Sequence, residues 1–167
     1  MADFSLQDLA LAMALSYGGA HPMGHMGRAS QYGVPGKVDF GRGVEMYDKN
    51  AWNKLSPEEQ AKIHAAGFEG QQTLSNALMG SSMEDEMRLA QALYKIGYVA
   101  GIKPGGTEGD PQLIAENTGM NRGRVNALLG TSALADLYRA KRPGNSNLDF
   151  TVLEDGRAPG LVYQMKW

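Results

Sequence analysis

The sequence predicts a mainly α-helical protein, a bundle of about five to six short helices followed by a short C-terminal β-hairpin or strand. Apolar residues recur at helical spacing, between clear start and stop signals, as far as residue 143. The 167 residues, of which 43% are hydrophobic, are enough to form one compact core. After Gly144 the helical pattern gives way to strand-like alternation. We therefore expect a helical domain over residues 1–143 and an extended or β tail over residues 144–167.

The first two predicted helices meet at a glycine-rich junction. A capping arrangement at Ser5 begins the first helix, and the pair Gly18-Gly19 is expected to end it. Pro22 suits the first turn of the second helix, because its missing N–H would have no partner there anyway. That helix is expected to end at Gly33, and residues 38–40 are predicted to form a brief strand.

Four further helices are predicted, each with its own start signal. Ser56 begins the most strongly marked one, because a proline and then a capping-box glutamate, Glu59, follow it. The predicted ranges are 56–79, 82–101, 110–119 and 121–141. In the tail, residues 150–153 and 161–167 are predicted to be two strands around the turn Asp155-Gly156.

The composition excludes several classes of function. The formal net charge of −2 and the isoelectric point of about 5.9 disfavour a globally basic nucleic-acid binder. The chain has no cysteine, which excludes disulfides, thiolate zinc sites and cysteine catalysis. No apolar run approaches the roughly 18 residues that a membrane-spanning helix needs.

Two histidines form the first candidate site. His21 and His25 stand four residues apart, so on a helix both imidazoles would lie on one face and could bind one metal ion. The segment from His21 to Pro35 resembles the metal-binding helix of gluzincin-type zinc peptidases, which carry the motif His-Glu-x-Gly-His. The resemblance implies that His21 and His25 are zinc ligands and that a later acid completes the set. Glu69 is the best candidate for that acid, and His64 is an alternative ligand.

At one position this segment lacks the residue that an active peptidase of this family needs. The general base of that family would fall at position 22, where Pro22 cannot accept a proton. The resemblance therefore implies a bound metal without hydrolysis. The favoured interpretation is nevertheless that both histidines only pack, cap or hydrogen-bond and that the protein has no cofactor; a bound zinc ion is the alternative.

Residues 111–129 form the second candidate site, because they resemble a DNA-reading helix-turn-helix. Ala115 stands where two helices would touch, Gly119 stands at the turn, and Val125 faces inward from the second helix. The resemblance implies that the recognition helix contacts DNA through Asn121, Arg122, Arg124 and Asn126. Any glycine-linked helix pair has the same spacing, however, and the rest of the chain supplies no basic face, so DNA binding is disfavoured.

The residues near both ends of the chain are typical of surfaces that contact other molecules. Leu6, Leu9 and Met13 form an apolar stripe on the first helix, which suits a partner helix or a membrane surface. Tyr163 and Trp167 belong to a C-terminal strand that could add to the sheet of a neighbouring subunit. We therefore expect a homo-oligomer with both ends at interfaces.

This combination of short helices and unpartnered ends resembles the small virion proteins of short-tailed bacteriophages, including the ejected proteins that assemble at the cell envelope. The resemblance implies a non-enzymatic structural protein, a component of ejection or tail assembly, that contacts other virion or envelope proteins. It also implies a location in the virion or at the host cell envelope; without it, the chain would be assigned to the cytoplasm. A degenerate metal-binding relative of the zinc peptidases and a helix-turn-helix protein are the alternatives.

Overall fold

The computed structural model of the protein describes residues 5–39, 44–101, 109–141, 146–152 and 158–165, and this part of the chain is mainly helical. Six α-helices of eight or more residues, one single-turn helix and two antiparallel β-hairpins lie within these ranges. The predicted fold class is therefore confirmed. In chain order the elements are α1 (Leu6–Met13), a π-helical segment (Ala14–Ala20), α2 (His21–Gln31), β1 (Gly36–Asp39), β2 (Val44–Tyr47), α3 (Lys49–Trp52), α4 (Pro57–Ala77), α5 (Glu84–Val99), α6 (Asp110–Thr118), α7 (Arg122–Lys141), β3 (Ser146–Val152) and β4 (Pro159–Met165).

The first two helices are continuous, so the prediction that Gly18-Gly19 ends the first one is wrong. α1 passes directly into the π-helical segment, which passes directly into α2. Glycine lowers helix propensity by about 1 kcal/mol, but it keeps its N–H, so the backbone hydrogen bonds can continue through the pair. The N–H of His21 closes the π-helical segment by donating to the carbonyl of Ser16. Pro22 falls in the first turn of α2, as expected.

The helix start predicted at Ser56 is confirmed. The Ser56 hydroxyl accepts a hydrogen bond from the Glu59 N–H at 3.2 Å, and the Glu59 carboxylate accepts one from the Ser56 N–H at 2.8 Å. This capping box begins α4, which has 21 residues. Residues 38 and 39 of the brief strand predicted at 38–40 lie in β1, which pairs with β2. Residue 40 and the predicted turn Asp155-Gly156 lie outside the described residues.

α4 runs through the centre of the fold and packs against α2, α6 and β3. The C-terminal hairpin contributes Phe150 and Val152 to the same core as α4, α6 and α7, so the tail packs on the helices. The members of this core are Ala61, Ala65, Phe68, Ile114, Ala115, Val125, Leu129, Phe150 and Val152.

Glycines let α2 approach α4 closely. A Cβ at Gly24 would overlap the Ala66 carbonyl oxygen, and a Cβ at Gly70 would overlap the Ala20 carbonyl oxygen. A side chain at either position would therefore force the two backbones apart. Gly67 lies in the same contact, and the imidazoles of α2 rest on its Cα. This glycine contact brings the first candidate site against the backbone of α4.

α5 and α7 enclose a buried charged pair. The Lys95 ammonium lies 2.6 Å from a carboxylate oxygen of Asp136 and 2.7 Å from the Ser132 hydroxyl. All three side chains are buried. Desolvation raises the pKa of Asp136 in spite of the opposing charge of Lys95, so removal from water is the larger effect on this carboxyl.

Candidate metal centre

The three histidines of the chain converge on one carboxylate, that of Asp110, the first residue of α6. The Nε2 atom of His21 lies 3.0 Å from Asp110 Oδ2, and that of His25 lies 3.5 Å from the same oxygen. Nδ1 of His64, on α4, lies 3.3 Å from the other oxygen, Oδ1. The side chain of His25 is 2% exposed and that of Asp110 is 12% exposed, so the cluster is nearly shielded from water.

The backbone of α4 determines which nitrogen of His25 faces the cluster. Nδ1 of His25 donates a hydrogen bond to the Ile63 carbonyl at 2.6 Å, because a carbonyl oxygen can only accept. If the imidazole is neutral, it presents the lone pair of Nε2 to His21 Nε2, 3.0 Å away, and to Asp110; if it is protonated, Nε2 donates instead. Metal-binding histidines are oriented by this kind of bond from the second ring nitrogen.

Asp110 is an anion in this environment. Burial by itself raises the pKa of its carboxyl, but the charge of His25 and the hydrogen bonds from the three histidines outweigh burial. The pKa of Asp110 is therefore held well below its usual range. The cluster contains a buried negative charge that needs a positive partner, which either a protonated histidine or a metal ion supplies.

Two tyrosines complete the surroundings of Asp110. The Tyr98 hydroxyl donates to Asp110 Oδ2 at 3.1 Å, and the Tyr94 hydroxyl lies 2.9 Å from that of Tyr98. Burial raises the pKa of both phenols, and the charge of Asp110 raises them further. Both tyrosines therefore stay neutral at neutral pH. The Tyr94 ring also packs edge-on against His21, with centroids 5.0 Å apart.

The spacing of the ligand atoms suits one metal ion. One atom from each of His21, His25 and Asp110 lies within 4.8 Å of the other two. The three separations are 3.0, 3.0 and 3.5 Å. Ligands that each lie about 2.0–2.1 Å from one ion stand about 2.9–3.4 Å apart at angles between about 90° and 110°. Two sides of the observed triangle lie within this range and the third is slightly longer.

Glu69, which the sequence offered as the third ligand, does not join this cluster. One of its carboxylate oxygens accepts a hydrogen bond from Arg28 at 2.9 Å, and the other accepts one from the Thr151 hydroxyl. His64 does reach the cluster, through its contact with Asp110. The sequence pattern marks position 110 only as the start of a predicted helix, because nothing in a single sequence distinguishes an acid that begins a helix from one that folds onto distant histidines.

The second candidate site forms the predicted pair of helices. Gly119 joins α6 to α7 in the left-handed region, with φ of 67°, and Ala115 and Val125 are buried between the helices. The side chains of Asn121, Arg122 and Arg124 are exposed, whereas that of Asn126 is partly buried. Their contact with DNA stays a prediction.

The predicted interface residues differ in their surroundings. Leu6 is 75% exposed and Met13 is 45% exposed, but Leu9 packs within the chain against the cluster that contains Met87. Trp167 and the side chain of Tyr163 lie outside the described part of the chain. No helix among the described residues is both long and apolar enough to cross a membrane.

Comparison of the chain with family models, with curated proteins and with solved structures found no match. What the protein does must therefore be inferred from its own geometry. The strongest feature of that geometry is the convergence of two imidazoles and a carboxylate at one buried point.

Proposed function

We propose that the protein binds one zinc ion through His21, His25 and Asp110, and that the ion stabilises the fold rather than catalysing hydrolysis. The observation that carries this proposal is the triangle of 3.0, 3.0 and 3.5 Å formed by two imidazole nitrogens and one carboxylate oxygen. A protonated His25 that donates to Asp110 is the alternative source of positive charge. If His25 is neutral, its Nε2 lone pair and the anionic Asp110 oxygen face each other at 3.5 Å, which a cation between them would relieve.

The donor set favours zinc among the common ions. Imidazole nitrogens with one carboxylate are usual zinc ligands, whereas calcium and magnesium prefer oxygen donors alone. A fourth ligand would complete a closed tetrahedral site, as is usual for structural zinc. The His64 imidazole contacts the other oxygen of Asp110 and lies outside the group of three ligand atoms, so it would have to turn towards the ion to supply that ligand.

The surroundings of the cluster support a structural role for the ion. The ligands come from α2 and α6, and His21 and Asp110 are 89 positions apart in the chain, so the ion would hold two distant parts of the chain together. Hydrolysis needs a base beside the metal-bound water. Pro22 cannot act as one, the carboxylate of Asp110 is a ligand, and Glu69 is bonded to Arg28 instead.

Metal content tests the proposal directly. Protein purified without chelators should contain about one zinc per chain by elemental analysis. The variants His25→Ala and Asp110→Asn should lose it, whereas Glu69→Gln, a matched change of a carboxylate outside the cluster, should keep it. A protein that binds no zinc after incubation with the ion would overturn the proposal. So would loss of zinc in Glu69→Gln together with its retention in Asp110→Asn.

An oligomeric interaction protein of the short-tailed phage type is the second candidate, and it does not conflict with a structural metal. The exposed apolar residues of the first helical stretch support it, namely Leu6, Leu11, Met13 and Leu15. Burial of these side chains against other subunits would be favourable by about 25 cal/mol per Å². Sedimentation velocity should reveal a discrete oligomer, and a monodisperse monomer at high concentration would count against this function.

A further inference from the structure

The two carboxylate oxygens of Asp110 face different neighbours. Oδ2 lies 3.0 Å from His21 Nε2 and 3.5 Å from His25 Nε2, so it is the oxygen that would bind the ion. Oδ1 lies 3.3 Å from His64 Nδ1. The last torsion of an aspartate side chain has broad preferences, so the side chain does not by itself keep one oxygen towards the imidazoles. A neighbouring group is therefore needed to fix the orientation that metal binding requires.

Tyr98 contacts the same oxygen that faces the imidazoles. Its hydroxyl donates a hydrogen bond to Asp110 Oδ2 at 3.1 Å. A phenol hydroxyl has one proton, so the Tyr94 hydroxyl is the donor in the 2.9 Å contact between the two tyrosines. Tyr98 thus accepts from Tyr94 while it donates to Asp110, an arrangement in which each hydrogen bond strengthens the other. Rotation of the carboxylate away from the imidazoles would break the bond to Tyr98.

Gly109, the residue before Asp110, lets the Tyr98 ring approach the start of α6. A Cβ at Gly109 would lie 2.9 Å from Tyr98 Cε1 and 3.1 Å from Cδ1, too close for the ring to keep its place. The φ of Gly109 is −101°, which any residue can adopt, so the close approach of the ring is what favours glycine here. The ring also packs edge-on against Phe68 of α4, with centroids 5.5 Å apart. Contacts with two helices therefore place the Tyr98 ring beside the backbone that carries Asp110.

We propose that Tyr98 is a positioning residue of the metal centre, whose hydroxyl holds Asp110 Oδ2 towards the ion. The proposal rests on the zinc site proposed above, since it concerns a ligand of that site. Groups that hydrogen-bond to metal ligands orient them, and a change of such a group typically lowers metal affinity about 10- to 100-fold. The hydroxyl makes this contribution, because the contacts of the ring with Phe68 and Gly109 do not involve it and can remain in Tyr98→Phe.

Tyr94 provides the matched control. It lies on α5, one turn before Tyr98, and its hydroxyl belongs to the same chain of hydrogen bonds. The Tyr94 hydroxyl reaches Asp110 only through that of Tyr98, however. If the tyrosines only helped to pack the fold, loss of either hydroxyl would affect zinc binding equally. If Tyr98 positions Asp110, loss of its own hydroxyl has the larger effect.

Zinc affinity of the full chain, measured by competition with a chromophoric chelator, tests the proposal. Tyr98→Phe should weaken zinc binding about 10- to 100-fold, whereas Tyr94→Phe should bind zinc nearly as tightly as the wild type. Cobalt(II) in place of zinc adds a spectroscopic readout, because its visible d–d bands depend on the geometry of the ligands. These bands should change in Tyr98→Phe and stay unchanged in Tyr94→Phe. Urea unfolding in chelator would establish that both variants are folded without metal.

Gly109→Ala tests the same contact without removing the hydroxyl. The added Cβ should displace the Tyr98 ring from Asp110, and so should also weaken zinc binding and change the cobalt bands. This second variant decides the matter if Tyr98→Phe does not fold. Wild-type zinc affinity in Tyr98→Phe or in Gly109→Ala, or equal losses in the two tyrosine variants, would overturn the positioning role while leaving zinc binding itself established. A wild-type chain that binds no zinc would overturn both this role and the proposed function.

Discussion

Replacing Gly67 by alanine adds one methyl group where α4 supports both imidazoles of the metal centre. The new Cβ would lie 2.6 Å from His21 Nδ1, and closer still to His21 Cε1 and His25 Nε2. Real Cβ atoms essentially never approach another heavy atom within 3.0 Å. The two rings must therefore move by several tenths of an ångström, away from the positions in which their Nε2 atoms meet.

The effect on zinc affinity should exceed the effect on the stability of the metal-free protein. Overpacking of this kind costs about 1–3 kcal/mol, and the better helix propensity of alanine offsets about 1 kcal/mol of it. We therefore expect the metal-free Gly67→Ala protein to lose about 0–2 kcal/mol of unfolding free energy. Zinc affinity should fall about 10- to 100-fold, as it does when groups that orient metal ligands are changed.

Gly27→Ala is the matched control for this experiment. Gly27 is in the interior of α2, and a Cβ there would meet nothing within 4 Å among the described residues. This variant should bind zinc normally and gain about 0.5–1 kcal/mol of stability. Urea unfolding in chelator measures stability, and competition with a chromophoric chelator measures zinc affinity. Wild-type zinc affinity in Gly67→Ala, or equal losses in the two variants, would refute the reasoning.

Other parts of the fold allow independent tests. Lys95→Met leaves the buried carboxylate of Asp136 without its cation and should cost about 3–5 kcal/mol in urea unfolding. Adding Asp136→Leu should recover most of that loss, and a double variant no more stable than the single one would contradict the pairing. Ser56→Ala removes half of the capping box of α4 and should cost about 1 kcal/mol, measurable as a lower Tm. Fluorescence anisotropy with a labelled DNA duplex at low ionic strength should show no binding; salt-dependent binding that is lost in Arg122→Ala and Arg124→Ala would instead support the helix-turn-helix function.

Local signals predicted most of the helices correctly. The capping box at Ser56 and the left-handed glycines at Gly33 and Gly119 each act within a few residues of the chain, so a single sequence contains all the information they need. The predicted helix end at Gly18-Gly19 is wrong because tertiary packing, which a local signal does not contain, decides it. Gly18-Gly19 is permissive rather than obligatory as a helix end, and the packing of α2 on α4 favours continuation through a π-helical turn.

In the candidate metal centre, too, some features follow from the local sequence and others only from the tertiary structure. Spacing along one helix is a local property, so the sequence alone was enough to pair His21 with His25 and to exclude a base at Pro22. The choice of Asp110 over Glu69 depends on contacts between residues far apart in the chain, which only the packing of α2, α4 and α6 determines. Close approach at Gly24, Gly67 and Gly70 makes that packing possible, and no periodicity in the sequence records which backbone a glycine will face.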